Sequence, residues 1–360
     1  MNRCFKALFS HIAKSRTGNR LITIFGGNKL HALWYVRSSK RHLLSRAEKV
    51  FKEGKAKGSF EDYRSALEKH WVSYSEYANQ YEFYKKTETE REAYVSLLKM
   101  SYFYLRYGPG TSRLWFRSKK DFLKRFAKFI HREWLYVPNS SFDAFETLVT
   151  SHDCIVKPCD GTRGKGISKL YKDRSHKNDF ALYKSYVKSK MMVEQCIESC
   201  EELKKLHPQS LNTIRVVTVS NKNKACVFFA VLRTGVGESV IDNSHAGGIS
   251  AQIDVKNGIV DTDGANTQGE RFSTHPNSGI VFKGFVIPKW DAIQSVCCEA
   301  AKMTDNPITG WDVVINSFGE VEFIEGNSTP DMDMIQTRYR RGVKRELSAL
   351  IKEYCGIELK

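Results

Sequence analysis

Two acidic residues and an asparagine lie on two short apolar segments that a turn joins. Asp312 lies in the first segment, and Glu325 and Asn327 lie in the second. Because side chains alternate between the faces of a strand, Glu325 and Asn327 point to one side while Gly326 leaves the other side bare. Two carboxylates and an amide oxygen suit a hard cation such as Mg²⁺, which keeps positions open for phosphate. The alternative interpretation is a solvated hairpin with no ligand.

A second candidate for phosphate chemistry lies upstream. Residues 154–158 form an apolar segment that carries Lys157, residues 160–166 form a glycine-rich loop with two cations, and residues 167–170 return as a strand. Glycines let successive backbone N–H groups face an anion, and Lys157 adds a point charge from a rigid strand. An ordinary hairpin with a flexible basic tip is the alternative. Because the loop returns to a strand, it fits neither the Walker pattern nor the dinucleotide fingerprint.

The order of these elements resembles the ATP-grasp superfamily, over roughly Phe116 to Thr337. The shared pattern is a strand with Lys157, a glycine-rich loop, a helix, a strand from Met191 to Ile197, and the Asp312, Glu325 and Asn327 group. Three further segments are similar to the sugar-transfer-associated branch found in bacterial polysaccharide loci: Thr213 to Thr218, Asn243 to Gly248, and His275 to Trp290. The resemblance implies an α/β (α+β) ATP-grasp fold, in which two α+β subdomains grip ATP.

The resemblance also implies which residues bind the phosphates and the metal. Lys157 would hold the α- and β-phosphates, and Asp312, Glu325 and Asn327 would hold Mg²⁺. The glycine-rich loop would close over the β- and γ-phosphates through Asp160, Gly161, Thr162, Gly164, Lys165 and Gly166.

The nucleoside end of ATP is assigned in the same way. Glu194 would lie on the exocyclic amine side of adenine, and the backbone from Gln195 through Cys196 to Ile197 would read the adenine edge. Glu201 has a plausible spacing for the ribose carboxylate, although a predicted helical insertion from Glu201 to Ser210 separates this hinge from the next strand.

One further lysine of the family precedes the Lys157 strand by a helix. It matches either Lys119 or Lys120 in this sequence, and the spacing to Phe122 favours Lys119. Both lysines stay candidates at this stage.

Two more residues are candidates for the chemical steps. Arg215 lies on an apolar strand, and its planar fork suits a transferring phosphoryl group or an acyl phosphate. A strand arginine in a salt bridge is the alternative. His245 would orient the acceptor or take its proton, unless it is only an exposed loop histidine.

These residues predict an ATP- and Mg²⁺-dependent carboxylate–amine ligase that acts through an acyl phosphate. By resemblance, it would join an amino acid or amino sugar to a carboxylate-bearing sugar, free or lipid-linked, in surface polysaccharide synthesis. A sugar kinase with the same fold is one alternative, and a non-catalytic nucleotide-binding scaffold for glycosyltransferases is another. The intact Lys157, Asp312, Glu325 and Asn327 argue against the scaffold.

Positive charge is concentrated at the start of the chain. The net charge is +17, and the first 150 residues carry 29 Lys and Arg against 14 Asp and Glu. Cations before Glu48 accompany Phe5, Leu8, Phe9 and Ile12 at helical spacing, a pattern that suits an anionic membrane surface. A packing helix with a basic rim is the alternative. No nucleic-acid-binding motif accompanies these residues, so the sequence supports nucleic acid least.

The pattern along the chain predicts three units. Residues 1–108 form a basic, mainly helical region, residues 109–345 the ATP-grasp domain, and residues 346–360 a helical tail. Within them, one amphipathic helix is predicted from Lys120 to Trp134 and a basic one from Arg338 to Ile351.

Cysteine spacing and hydropathy bear on the compartment. The nine cysteines lack paired metal spacings, and neither a membrane span nor a signal peptide is visible. We therefore expect a cytoplasmic protein, with peripheral attachment to the inner membrane face if the basic segment binds lipid.

Overall fold

The computed structural model describes residues 28–56, 58–79, 86–108, 110–160, 166–238, 247–267, 270–332, 335–336 and 341–359. Most of the predicted glycine-rich loop (Gly161, Thr162, Gly164 and Lys165), as well as His245 and the basic segment before residue 28, lies outside these residues. No helix within the described ranges is both long enough and apolar enough to cross a bilayer.

The described N-terminal residues are helical, as predicted. Five helices occur among the described residues before residue 108: α1 (Asn28–Lys52), α2 (Phe60–His70), α3 (Tyr74–Asn79), α4 (Glu88–Glu92) and α5 (Leu97–Tyr107). Ser59 begins α2, because its hydroxyl accepts a hydrogen bond from the backbone N–H of Asp62. Tyr63 and Leu67 on one face of α2 are fully buried against α1 and its neighbours.

A small antiparallel sheet follows. Its four strands are β1 (Trp134–Tyr136), β2 (Cys154–Pro158), β3 (Ser168–Leu170) and β4 (Met191–Gln195), in the order β1-β4-β2-β3. The helices α8 (Phe142–Ser151) and α9 (Asp179–Lys188) cover one face, where Val156 and Val193 are buried. Because side chains alternate along a strand, Lys157 and Glu194 lie on the opposite face. The two predicted strands, one carrying Lys157 and one returning beside it, are confirmed, since β2 pairs with β3.

A larger antiparallel sheet forms the second half of the chain. Its main path runs β10-β9-β7-β6-β5-β11-β12, and β8 pairs with β7. The strands are β5 (Thr213–Ser220), β6 (Ala225–Thr234), β7 (Ile249–Asp254), β8 (Ile259–Val260), β9 (Gly264–Ala265), β10 (Arg271–Phe272), β11 (Ile308–Ile315) and β12 (Val321–Asn327). A short helix, α10 (Glu201–Lys204), precedes β5, so the predicted insertion up to Ser210 is helical only in its first four residues.

Helices cover both faces of this sheet. The helix α11 (Trp290–Lys302) packs on the face that carries Ile214 and Leu232. The other face packs against α5 and against α12 (Lys344–Cys355). The C-terminal helix was predicted to span Arg338 to Ile351. It begins later, at Lys344, and ends at Gly356, whose φ of 66° is a left-handed C-cap.

One helix prediction is wrong in its extent. The helix α6 (Gly110–Arg117) is followed by α7 (Lys119–Arg125), a 3₁₀ turn (Ala127–Phe129), and then β1, which Trp134 begins. The predicted helix from Lys120 to Trp134 therefore ends at Arg125. The predicted aromatic core is confirmed, because Phe122, Phe126 and Phe129 are all buried. Pairing of Trp134 with Glu194 in the small sheet overrides the helical periodicity.

Candidate active site

The predicted acidic hairpin is present in the large sheet. Asp312 on β11 lies directly opposite Glu325 on β12, and Gly310 lies opposite Asn327. Directly opposed residues of antiparallel strands share a face, so both carboxylates and the amide project to the same side. This face is the one opposite α11.

The sequence suggested that Gly326 leaves the other face of its strand bare, but in the structure two aromatic rings fill this space. A Cβ atom at this position would lie 2.5 Å from Cε1 of Phe116 and 2.6 Å from Cε2 of Phe122. These rings belong to an aromatic cluster that includes Trp311 and Phe323. The glycine therefore lets the aromatic cluster support the strand that carries Glu325 and Asn327.

Two arginines hold Asp312. Arg215 on β5 lies opposite Asp312 and contacts both of its carboxylate oxygens, with Nη2 donating to Oδ2 at 2.7 Å. Arg233 on β6 donates from Nη1 to Oδ2 at 3.0 Å. Burial by itself raises the pKa of Asp312, but the two guanidinium groups lower it to about 2. Arg215 therefore forms the strand salt bridge that the sequence left open as the alternative, and its partner is the proposed metal ligand Asp312.

Sequence reasoning missed Arg233. The available signal was its similarity to Arg215, since each arginine lies on a hydrophobic strand that is buried along most of its length. A single charged residue that interrupts such a run needs a partner, because burying an unpaired charge is unfavourable.

The pKa of Glu325 shifts in the opposite direction. Desolvation by the surrounding protein atoms and the negative charge of Asp312 raise the pKa of Glu325, although its side chain keeps contact with solvent. A divalent cation between the two carboxylates would remove that repulsion, so the pair fits Mg²⁺. Oδ1 of Asn327 accepts from Thr329 N at 2.8 Å and from Thr329 Oγ1 at 3.3 Å, and the longer bond would yield to a metal. Among the described residues, no third His, Cys, Asp or Glu completes a metal cluster.

Lys157 projects from the small sheet and pairs with a buried carboxylate. Its Nζ lies 2.7 Å from Oε1 of Glu194. The other oxygen of Glu194 accepts from Nε of Arg132 at 2.8 Å. Glu194 is thus in a buried ion network, and its pKa is lowered because Lys157 and Arg132 outweigh the effect of burial. Arg132 was not among the predicted site residues.

The structure distinguishes the two candidate lysines. Burial lowers the pKa of Lys119, and so does the charge of Lys157, while Glu325 and Glu194 act in the opposite sense. Lys119 thus lies within electrostatic range of both halves of the site. Lys120 instead places Nζ 4.8 Å from the ring centroid of Tyr136. The arrangement favours Lys119.

The hinge after β4 borders a cavity of about 1010 Å³. Gln195, Cys196 and Ile197 line it, and the small sheet and the β11–β12 turn contribute other walls. The backbone N–H groups of Gln195 and Cys196 already donate to Glu133 O and Asp153 O. In the predicted hinge, the N–H groups of Gln195 and Cys196 are thus engaged by backbone carbonyl oxygens, and that of Ile197 has no such backbone bond among the described residues.

The remaining predicted ligands lie at the edge of the site. Glu201 is exposed and pairs with Lys204 at 3.1 Å, so its side chain shows no orientation toward a ribose. Asp160 is exposed at the start of the glycine-rich loop. Gly166 at its end has a φ of 76°, which glycine tolerates and other residues rarely adopt.

A comparison with protein-family models identifies the family of this chain. The family model described as sugar-transfer associated ATP-grasp matches residues 124–352. The chain belongs to the sugar-transfer associated ATP-grasp family. The predicted ATP-grasp fold, preceded by a helical N-terminal region, is therefore confirmed. A search of the curated proteins found no match to this chain.

Several solved structures are similar to this ATP-grasp chain. The ATP-grasp ligase PsnB, complexed with a phosphomimetic variant of a minimal precursor, Mg and ADP, is 14% identical, with a TM-score of 0.43 over 74% of this chain and 69% of that chain. D-alanine-D-alanine ligase from Coxiella burnetii is 11% identical, with a TM-score of 0.41 over 68% and 59%. Biotin carboxylase from Campylobacter jejuni is 11% identical, with a TM-score of 0.42 over 69% and 48%. These likenesses are too distant to assign a substrate to this chain.

Proposed function

We propose that this protein is an ATP- and Mg²⁺-dependent ligase that joins a carboxylate to an amine. The observation that carries the proposal is the Asp312 and Glu325 pair, with Arg215 beside it on the same sheet face. Lys157 from the small sheet lies close enough to influence the pKa of Glu325. Two carboxylates for a metal, opposed by a lysine and an arginine for phosphoryl oxygens, suit phosphoryl transfer from ATP.

The proposed reaction has two steps. A carboxylate oxygen of the first substrate attacks the γ-phosphorus of ATP, and the bond to the β,γ-bridging oxygen breaks, so that ADP leaves with the electron pair. An amine then attacks the carbonyl carbon of the acyl phosphate. The bond from carbon to the phosphate oxygen breaks, inorganic phosphate leaves, and the nitrogen loses a proton. His245 is the proposed residue that orients the amine or accepts this proton.

Residues of this chain would stabilise charge in the first step. Lys157 and Lys119 would offset the charge on the nucleotide phosphates, and we propose that the loop of residues 160–166 closes over them. Mg²⁺ held by Asp312, Glu325 and Asn327 would screen the phosphate oxygens from each other.

Arg215 has a role that depends on this metal. If a divalent cation were held on Asp312, the guanidinium of Arg215 would be repelled from that carboxylate, and its planar fork would then suit the transferring phosphoryl group.

The family description, sugar-transfer associated, supports a sugar substrate. We propose that an amino acid or amino sugar is attached to a carboxylate-bearing sugar, free or lipid-linked, during surface polysaccharide synthesis in the cytoplasm. The hinge of residues 195–197, with Glu194, and the exposed Glu201 remain the proposed contacts of adenine and ribose.

The basic N-terminus is proposed to bind the anionic inner face of the membrane. Removal of residues 1–27 should weaken binding to anionic vesicles, and that binding in the full chain should fade as salt rises. The site residues all lie after residue 117, so turnover of a soluble substrate should persist. Unchanged vesicle flotation by the truncated chain would contradict the membrane proposal.

Product analysis tests the ligase chemistry. Candidate carboxylates and amines are screened for ADP release, and products are identified by mass. A ligase should release one phosphate per coupled product, and hydroxylamine should trap the acyl phosphate as a hydroxamate when the amine is withheld. Phosphate retained stably on a sugar product, with none released, would show a kinase and refute the ligase proposal. No ATP turnover with any carboxylate, despite nucleotide binding, would favour the scaffold.

A further inference from the structure

A buried chain of four charged side chains connects the two sheets. Lys157 on the small sheet pairs with Glu194 at 2.7 Å, and Glu194 accepts from Nε of Arg132 at 2.8 Å. Arg132 donates from Nη1 to Oε1 of Glu322 and to the carbonyl oxygen of Phe323 on the large sheet, both at 2.8 Å. The side chains of Arg132, Glu194 and Glu322 are at most 4% exposed.

The backbone fixes Glu322 in the same place. Oε1 of Glu322 also accepts from the backbone N–H groups of His131 at 3.2 Å and Arg132 at 3.0 Å. Arg132 is thus held by its own backbone, by the large sheet and by Glu194. Nε and Nη1 of Arg132 each donate to a fixed acceptor, which defines the position of the guanidinium, while its buried Nη2 has no hydrogen-bond partner among the described residues.

The network contains two cations and two anions, so its charges balance only while Lys157 stays. The proposed function moves Lys157 to the nucleotide phosphates, which leaves Glu194 with Arg132 alone. Lys119, at the start of α7, is the other cation whose charge reaches Glu194. A buried carboxylate without an adjacent cation takes up a proton, because burial disfavours its charged form.

We infer that Arg132 is a positioning residue for nucleotide binding, which keeps Glu194 ionised while Lys157 transfers from Glu194 to the phosphates. The inference rests on the proposed function, since it needs Lys157 to bind phosphate. Arg132 touches no reacting atom. Through Glu322, the same guanidinium keeps the small sheet attached to the large sheet while the lysine changes partner.

Loss of the Arg132 charge should therefore couple nucleotide binding to a proton. In Arg132→Gln, Glu194 keeps Lys157 before binding and loses it on binding, so the pKa of Glu194 rises when nucleotide binds. Between these two pKa values, binding takes up one proton and the affinity falls tenfold for each unit of rising pH. With Arg132 present, Glu194 contributes no proton.

The experiment uses Glu322→Gln as its background, because loss of Arg132 then leaves no second unpaired carboxylate. ADP with saturating Mg²⁺ is titrated by calorimetry between pH 6 and 8, in buffers of different ionisation heat. Glu322→Gln should bind without proton uptake by Glu194. When Arg132→Gln is added to this background, ADP binding should take up as much as one proton, and the affinity for ADP should fall as pH rises. Arg132→Lys should restore binding without the proton, and Glu194→Gln should remove the proton from the Arg132→Gln protein.

The inference would be overturned if adding Arg132→Gln to the Glu322→Gln protein left its affinity for ADP unchanged and added no proton uptake. It would also be overturned if the added proton uptake persisted after Glu194→Gln. If Arg132→Gln does not fold, the wild-type protein decides. Wild type and its Glu194→Gln variant should take up the same number of protons, and extra uptake by wild type would overturn the inference. Failure of the wild-type protein to bind Mg²⁺ and ADP would instead refute the proposed function.

Discussion

Replacing Gly326 by alanine would place a methyl group in space that two phenylalanine rings occupy. The new carbon would lie 2.5 Å from Phe116 and 2.6 Å from Phe122, well inside the contact distance of about 3.5–4.0 Å for carbon atoms. Both rings pack in an aromatic cluster with the fully buried Trp311 and Phe323. Phe122 is itself buried and has no free space to enter, whereas Phe116 is only half-buried. Overpacking of this kind costs about 1–3 kcal/mol, which for a domain of this size lowers Tm by about 2–10 °C.

The larger effect should fall on activity. If the rings stay in place, β12 must move away from them, and Glu325 moves relative to Asp312. A displacement on the order of 1 Å in a catalytic group lowers turnover by about 10²-fold. ATP turnover and thermal melting of Gly326→Ala, measured in parallel, give both quantities.

Two further variants control this prediction. Gly310→Ala adds a methyl group at a neighbouring position of the same hairpin, where the nearest atom is Pro330 Cβ at 3.1 Å, so it should perturb melting and turnover less. Phe116→Leu in the Gly326→Ala protein makes room for the methyl group and should recover part of both losses. Melting and turnover of Gly326→Ala equal to wild type would show that the aromatic cluster does not set the position of β12.

Three other outcomes are expected. Glu325→Gln should lower ATP turnover by at least ~10²-fold with little change in melting, and turnover near wild type would remove the metal assignment. Lys157→Ala should weaken nucleotide binding, and it should lower Tm only moderately because Glu194 keeps its bond to Arg132; unchanged affinity for ADP would make Lys157 structural. The pKa of Asp312 is lowered from 3.8 to about 2 in the folded protein, so about 2 kcal/mol of stability is present above pH 4 and is lost as pH falls toward 2. Urea unfolding at several pH values should show this loss, and Arg233→Gln should reduce it.

The strand pairs of the site could be predicted from local sequence. Asp312, Glu325 and Asn327 follow alternation on two strands with a short turn, so their common face depends on contacts close in sequence. Lys157 is similarly placed by β2 and its pairing with β3. These are features that periodicity and glycine placement determine on their own.

The long-range ion pairs could not be predicted in this way. Arg132 meets Glu322 across 190 residues, and Arg233 meets Asp312 across 79 residues. Neither pair follows a spacing rule in the sequence. The Arg132–Glu322 pair depends on how the two sheets pack, and the Arg233–Asp312 pair depends on the strand order β6-β5-β11 within the large sheet. The end of α7 at Arg125 has the same origin, since pairing of β1 with β4 overrides a continuous helical pattern.

The shared core of α5 and α12 has a practical consequence for the limits of any excised fragment. A fragment that starts at residue 124, where the family match begins, would lack Met100, Phe103 and Tyr104, which pack with Val217 and Phe229. It would also lose the hydrogen bond from the hydroxyl of Tyr104 to the carbonyl oxygen of Pro330. That face of the large sheet would then meet water and favour aggregation. The family match begins at residue 124, but cooperative folding of this chain needs residues on both sides of that limit.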